Sequence, residues 1–279
     1  MTTAVAGALQ QAKALGLDRL DAHLLLAHHL GRDRAWLLAH GDALLPPSVL
    51  WAFEADCRRR ADATPMAYLL GEREFHGLML KLTPDVLVPR PDTETLVDWA
   101  LGLLSGELAT LPVPEVLDLG TGSGAIALAL KHSQPRSRLS ASDASAAALE
   151  VARGNAQTLR LEVEFRVGDW WLPWSDRRFD MIVSNPPYIA ANDAHLAALR
   201  HEPVMALSPG CDGLAAIDRI VAGAPSHLRE GGWLVIEHGN DQADTVCRRL
   251  REAGFAAVQT RADLSGHDRC SAGCLKPPD

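Results

Sequence analysis

Val116-Leu117-Asp118-Leu119-Gly120-Thr121-Gly122-Ser123-Gly124, running on into Ala125-Ile126-Ala127-Leu128-Ala129-Leu130, is the stretch on which the fold turns. An apolar run of strand length ends in three glycines at every second position, and an apolar helical run begins at once. Glycine lets the backbone turn sharply and lets a ligand lie against bare main chain. The spacing is GxGxG rather than the GxGxxG of a dinucleotide site, and no Lys-Ser/Thr follows as in a P-loop. Such a loop suits the amino-acid half of S-adenosylmethionine. The plainer alternative is a glycine turn that only packs helix on strand.

Outward from this turn, strand and helix signals alternate. Strands are expected at 115–119, 138–142, 163–167, 179–184, 232–237, about 255–261 and about 270–275, and helices at about 124–131, 145–159, 213–228 and 240–253. Alternation with helical crossovers implies a mainly parallel, seven-stranded sheet covered on both faces, an α/β fold of Rossmann-like type. Three segments follow. Residues 91–279 form the α/β domain. Residues 73–90 read as a β-hairpin linker, with Phe75, Leu78, Leu80, Leu82, Val86 and Val88 nearly alternating around Gly77 and Pro84. Residues 1–72 read as a small helical domain. There Val5, Leu9 and Ala12, then Leu20, Leu24 and Ala27, recur at helical spacing, with Gly31 as a stop. Asp33 heads a helix ending at Gly41, another follows Pro46-Pro47, and a last turn closes at Gly71. Asp92 or Thr93 is placed to cap a helix through Leu101.

Three further stretches carry chemistry. Asp143 ends the next strand, 19 residues beyond Gly124. An acid there can accept both ribose hydroxyls of a nucleoside, or cap the helix beginning near Ser145. Gly168-Asp169-Trp170 follows the third strand, where Asp can accept from an adenine amino group and Trp can lie against the ring. With Trp171 and Trp174 alongside, Trp170 reads equally as core. Finally, strand 179–184 runs into Asn185-Pro186-Pro187-Tyr188. Ligands in open α/β sheets bind at the carboxyl ends of strands. An amide or aniline-like nitrogen is a poor nucleophile because its lone pair is delocalised. Asn185 Oδ1 and the Pro186 carbonyl can each accept one N–H of such an NH2 group, and Tyr188 offers it a flat face. No catalytic triad, paired-carboxylate pattern or metal cluster competes, and His238 is given no role.

Composition bounds the rest. The chain has 279 residues, is 47% hydrophobic and carries a net charge of -8. Broad capture of nucleic acid rests on clustered Lys and Arg, which an acidic chain does not offer by default. The five cysteines (57, 211, 247, 270, 274) form no CxxC pair, and free thiols in a reducing compartment are expected, with no metal. The N-terminal stretch has no signal-peptide pattern, and no run approaches the roughly 18 apolar residues that span a bilayer. A cytoplasmic protein is expected.

These motifs together resemble the HemK/PrmC family, methyltransferases that modify the glutamine of the GGQ motif in peptide-chain release factors. The likeness covers nearly the whole chain. It is carried by Leu70 to Phe75, by Val88-Pro89-Arg90-Pro91-Asp92-Thr93-Glu94, by the loop from Asp118 to Gly124 and by Ser184 to Ile189. Glu202-Pro203, Asp212-Gly213-Leu214 and Glu237-His238-Gly239 also match. NPPY is shared with nucleic-acid amino-methyltransferases, so the PRPDTE segment and the helical N-terminus narrow the family.

The resemblance implies S-adenosylmethionine as cofactor, S-adenosylhomocysteine as product, and N5-methylation of glutamine. Gly120, Thr121, Gly122, Ser123 and Gly124 would line the methionine part, Asp143 the ribose, and Asp169 and Trp170 the adenine, with Asn185 also at the cofactor. Asn185, Pro186, Pro187 and Tyr188 would hold the substrate, with Asn185, Pro186 and Tyr188 as the catalytic set. Residues 1–72 would help dock the release factor, and the protein would act as a monomer without nucleic acid or membrane. Ser208-Pro209-Gly210-Cys211 departs from the Gly-rich or acidic stretch expected there. The runner-up is an N6-adenine or other exocyclic-amine nucleic-acid methyltransferase, which would need a basic face and steep salt dependence. A third reading is a cofactor-binding interaction protein without catalysis.

Overall fold

A computed structural model describes residues 3–210 and 212–276; Cys211, with its expected free thiol and its place in the 208–211 loop, lies outside the described residues. The chain divides into two compact units, the first ending at Glu72 and the second beginning at Arg73.

The first unit is helical: α1 (Val5–Ala14), α2 (Arg19–Leu30), α3 (Arg34–Ala39), α4 (Pro47–Ala61) and α5 (Met66–Leu70). Asp18 and Asp33 cap α2 and α3, accepting from Asp21 N at 2.8 Å and Trp36 N at 2.7 Å. Gly31 and Gly71 close α2 and α5 in the left-handed conformation. α3 ends at Ala39, two residues short of the expected end at Gly41; His40 Nδ1 meets the Trp36 carbonyl at 2.9 Å. The buried stripe of α2 also differs. Leu20 is 47% exposed and Leu24 half-buried, whereas Ala22, Leu25 and Leu26 are buried. The run Leu24-Leu25-Leu26 supports either stripe by spacing alone, and packing with Val5, Ala8, Phe53 and Cys57 decides between them.

In the second unit a hairpin, β1 (Glu72–Phe75) and β2 (Leu78–Lys81), precedes α6 (Glu94–Ser105), β3 (Glu115–Leu119), α7 (Ala125–Ser133), β4 (Arg138–Asp143), α8 (Ala146–Leu159), β5 (Val163–Val167) and β6 (Phe179–Ser184). There follow α9 (Val204–Leu207), α10 (Ala215–His227), β7 (Leu228–Glu237), α11 (Ala243–Glu252), β8 (Phe255–Ala262) and β9 (Asp268–Leu275). The sheet runs β5-β4-β3-β6-β7-β9-β8. The first five strands are parallel, and β9 lies antiparallel between β7 and β8. A seven-stranded, mostly parallel sheet is what the alternation implies. β7 begins at Leu228 rather than 232, because Leu228 already pairs with Phe179 before Gly231 and Gly232 interrupt the apolar run.

Side chains alternate across the sheet. Val116, Met181, Val183 and Val235 face α6 and α7, together with Phe75, Leu78 and Leu80 of the hairpin. Leu117, Leu119, Ile182, Leu234 and Ile236 face α10 and α11. The hairpin is therefore built into the core of the second unit.

Asn155 of α8, 1% exposed, fastens it there. Its Oδ1 accepts from Lys81 N at 2.8 Å, and its Nδ2 donates to the carbonyls of Lys81 and Ser123, both at 3.0 Å. Hairpin and glycine loop are thus pinned by one side chain. Truncation would strand three backbone groups, each costing roughly 1–3 kcal/mol when buried. Asn155→Ala is expected to lower the unfolding free energy by about 2–4 kcal/mol, read from urea titration; a loss within about 0.5 kcal/mol would show that the clamp carries no load.

Candidate active site

The β3–β6 register places Leu119 opposite Ser184, and Ser184 Oγ donates to the Leu119 carbonyl at 2.7 Å. The residues that follow, Gly120 on one strand and Asn185 on the other, consequently open into the same cleft. Its volume is about 580 Å³, and Gly120, Gly122, Asp143, Asp169, Trp170 and Asn185 line it. A ligand site of a few hundred cubic ångströms is ordinary for a nucleoside-sized molecule.

Only part of the glycine loop faces this cleft. Gly120 and Gly122 line it, at φ +72 and +55, and a Cβ on Gly122 would meet nothing within 4 Å. Thr121, Ser123 and Gly124, expected to line the cofactor with them, are not on its wall. Thr121 Oγ1 donates to Asp118 Oδ2 at 2.6 Å, Ser123 is buried, and Gly124 packs so tightly that a Cβ would lie 3.0 Å from Leu128 and 3.2 Å from Ala152. They shape the turn instead. Asp118 Oδ2 also accepts from Ala127 N at 3.2 Å, which joins the end of β3 to the first turn of α7.

Asp143 receives two backbone donors, Gly122 N on Oδ2 and Ser145 N on Oδ1, both at 2.9 Å. The cap of α8 is Ser145, whose Oγ accepts from Ala148 N at 3.2 Å, so capping is not the work of Asp143. Burial raises the Asp143 carboxyl above its ordinary range. The three tryptophans separate by role. Trp174 is fully buried with Nε1 on Ser142 Oγ, and Trp171 stacks on His227 and donates to the Arg219 carbonyl at 3.0 Å. Trp170 alone reaches the cleft. It sits at φ +43, which a bulky residue adopts only where its surroundings hold it, and its Cζ3 lies 3.7 Å from where a Cβ on Gly120 would stand. Asp169 is exposed at the rim and pairs with Arg219 at 3.2 Å.

The Asn-Pro-Pro-Tyr corner has a second, smaller cavity of about 60 Å³, bordered by Leu87, Arg90, Pro186 and Tyr188. Asn185 and Pro187 line both cavities. Asn185 Nδ2 donates to Thr93 Oγ1 at 3.0 Å. Thr93 does not cap α6 as expected, since its hydroxyl is turned inward to Asn185. Tyr188 OH donates to Glu237 Oε1 at 3.1 Å, and its backbone carbonyl accepts from Gln242 Nε2 at 3.1 Å, so both the side chain and the main chain of the residue are held. Burial, with the Glu237 carboxylate next to it, raises the Tyr188 phenol well above its usual range. Burial likewise lifts Glu237 to about 7, although hydrogen bonds from Thr93 and Tyr188 oppose it. Glu202, 5% exposed, takes Val88 N at 3.1 Å and Arg90 Nη2 at 2.5 Å, which fixes the approach to the corner.

Glu202, Arg219 and Glu237, given no role in the sequence reading, and Thr93, expected only as a possible cap, are thus parts of the site. They act through partners 49–114 residues away, and the motif matches around Thr93, Glu202 and Glu237 were their only signal. His238, without a role there, is buried between the Gly239 carbonyl and Ser271 Oγ, each at 2.8 Å.

A glycine turn after β3, an acid ending β4 and a polar corner ending β6, on a mostly parallel sheet, define a methyltransferase-type α/β unit. Residues 93–206 match the family described as Methyltransferase small domain, and residues 3–71 the PrmC N-terminal domain. The chain is 53% identical to the release factor glutamine methyltransferase of Bordetella pertussis, with 93% of this chain and 96% of that one covered. It is 47% identical to the enzyme of the same name from Xylella fastidiosa strain Temecula1, over 95% and 96%. The chain belongs to the release factor glutamine methyltransferase family. Among solved structures, the Thermus thermophilus 16S rRNA N2 G1207 methyltransferase, in complex with AdoMet and guanosine, aligns with a TM-score of 0.56 and 20% identity, over 74% of this chain and 50% of that one, which shows the shared fold.

The buried acid of the turn sets a stability signature. Burial, with Asp143 adding repulsion, raises Asp118 to about 7, and its Oδ1 has no hydrogen-bond partner. The folded state holds a proton that the unfolded chain releases near pH 4, so this group favours folding below that pH and its contribution is lost as pH rises to about 7. Asp118→Asn is expected to flatten the fall in unfolding midpoint between about pH 4 and 7, measured by thermal melts across that range; an unchanged slope would assign it to other groups.

Proposed function

We propose that this protein transfers the methyl group of S-adenosylmethionine to the side-chain amide nitrogen of the glutamine in the GGQ motif of release factors, forming N5-methylglutamine. The observation that carries this reading is the Asn185 side chain. Its nitrogen is committed to Thr93, its oxygen is left for a donor, and it stands on the wall shared by a nucleoside-sized cleft and a small side-chain-sized one.

The residues present fit the cofactor. Gly120 and Gly122 offer bare main chain, Asp143 brings a half-buried carboxylate to the cleft wall, and Trp170 presents a ring beside Asp169. The Thermus thermophilus relative in fold was solved with AdoMet, which supports the same use of this cleft. When bound, the cofactor supplies an electrophilic methyl on a cationic sulfonium.

The chain's own residues hold the nucleophile. Asn185 Oδ1 and the Pro186 carbonyl are assigned one N–H each of the glutamine NH2, and Tyr188, fixed by Glu237, gives the amide plane a face. Alignment of this kind can contribute about 7–11 kcal/mol to rate. A strong base is not required, because the proton can leave to water after transfer. Tyr188 is unsuited to that task, with its hydroxyl already donated inward. We assign release-factor docking to residues 1–72, and action as a monomer in the cytoplasm. Among the described residues no helix is long and apolar enough to cross a membrane. The nucleic-acid reading is not favoured, since the named relatives act on release factors.

Asn185→Ala is expected to lower turnover about a hundredfold, the order of magnitude of one oriented polar group at a reacting centre, with a much smaller change in cofactor affinity by calorimetry. Mass spectrometry of the release factor locates the methyl. Near-normal turnover in the variant, or a methyl on another residue, would overturn the reading.

A further inference from the structure

We propose that Gln242 and Gly213 are positioning residues for methyl transfer: they fix the Tyr188 carbonyl, and through it the place where the Pro186 carbonyl meets the substrate amide. This deepens the reading of the site as a glutamine methyltransferase and rests on it.

A corner built on two prolines has no backbone donors at its middle. Pro186 and Pro187 carry no N–H, and the Pro186 carbonyl is assigned to the substrate. Its place therefore depends on the two ends of the corner. The first end is Ser184, whose hydroxyl donates to the Leu119 carbonyl at 2.7 Å. The second is the peptide joining Tyr188 to Ile189, which is held from both sides. Its N–H, on Ile189, donates to the Leu207 carbonyl of α9 at 3.0 Å, and its carbonyl, on Tyr188, accepts from Gln242 Nε2 at 3.1 Å.

Little play remains between this second end and the Pro186 carbonyl. The ring fixes φ of Pro187, and a residue that precedes proline keeps an extended ψ, so Pro186 is restricted twice. The Tyr188 side chain is tied to Glu237 through its hydroxyl at 3.1 Å. A shift of the Tyr188 carbonyl is therefore passed on to the Pro186 carbonyl rather than absorbed.

Gln242 stands immediately before α11, and its partners leave its amide one orientation. Gly239 N can only donate, so it takes Oε1, at 2.9 Å; the Tyr188 carbonyl can only accept, so it takes Nε2. Gly239 is fixed in turn, since its carbonyl receives Gln242 N at 3.0 Å and His238 Nδ1 at 2.8 Å. Gly213, buried and at φ +76, closes the other side. A Cβ there would run into the Tyr188 oxygen and lie 3.0 Å from Gln242 Nε2, so only glycine lets the amide reach the carbonyl. The Asp212-Gly213-Leu214 and Glu237-His238-Gly239 stretches thus converge on one backbone oxygen.

The test measures kcat, and KM for both substrates, with the full-length protein and a full-length release factor. Gln242→Glu keeps the shape of the side chain and the acceptor for Gly239 N, but sets an oxygen against the Tyr188 carbonyl. It should lower kcat about tenfold, the weight of one buried acceptor left unpaired, with KM for the cofactor unchanged. Gly213→Ala should act in the same direction. In an Asn185→Ala background the NH2 group has already lost one of its two acceptors. Gln242→Glu should cost far less there, because groups that align one atom act as a unit.

If Gln242→Glu does not fold, Gln242→Met, uncharged and of similar length, takes its place. A variant that is folded by circular dichroism yet keeps normal kcat overturns the proposal. So does a loss of kcat of equal size in both backgrounds, which marks a merely structural role. If the unaltered protein puts no methyl on the glutamine, the functional reading fails and this inference falls with it. A methylated glutamine with insensitive variants sinks the inference alone.

Discussion

The pairing of β3 with β6 is the constraint on which everything else depends. Leu119 lies opposite Ser184, and the Ser184 hydroxyl bonds across to the Leu119 carbonyl. A shift of one residue would send each side chain to the other face and carry the glycine turn away from the Asn-Pro-Pro-Tyr corner. Both strands are buried on both sides, so the register is set by two cores at once, one beneath α6 and α7 and one beneath α10 and α11. Rigid placement follows from that double burial, which is what a reaction governed by alignment requires.

Around this pair the chain builds outward in shells of decreasing apolarity. Asp118 and Thr121 brace the glycine turn from inside, and Asp143 ties it to the end of β4. On the other side, Glu202 grips Val88 and Arg90, while Thr93 and Glu237 grip the corner itself. Buried carboxylates thus recur wherever the site must be held still. Each is costly to bury, and each takes several donors in return.

Much of the fold was legible because periodicity is local. Six of the seven strands of the large sheet begin within about two residues of expectation, and Gly120, Gly122, Asp143, Asn185 and Pro187 line one cleft. Local signals failed where the deciding contact is distant. The buried stripe of α2 depends on partners in α1 and α4, and Leu24-Leu25-Leu26 looks alike from either side. Thr93 reads as a helix cap because Thr before a helix usually is one; its true partner stands 92 residues away. Within the turn, the family resemblance implied five ligand contacts, but only Gly120 and Gly122 line the cleft, while Thr121, Ser123 and Gly124 turn back to brace it.

The position of β9 has a consequence for how the molecule comes to be made. This last strand does not add to an edge but wedges between β7 and β8, and it brings Arg269 to the neighbourhood of Tyr188 and Glu237. A nascent chain halted before Asp268 would leave β8 without its only sheet neighbour and β7 with a naked side. Among the described strands, closure of the sheet therefore waits on the one that comes last in sequence, and Arg269 reaches the neighbourhood of Tyr188 and Glu237 only with it.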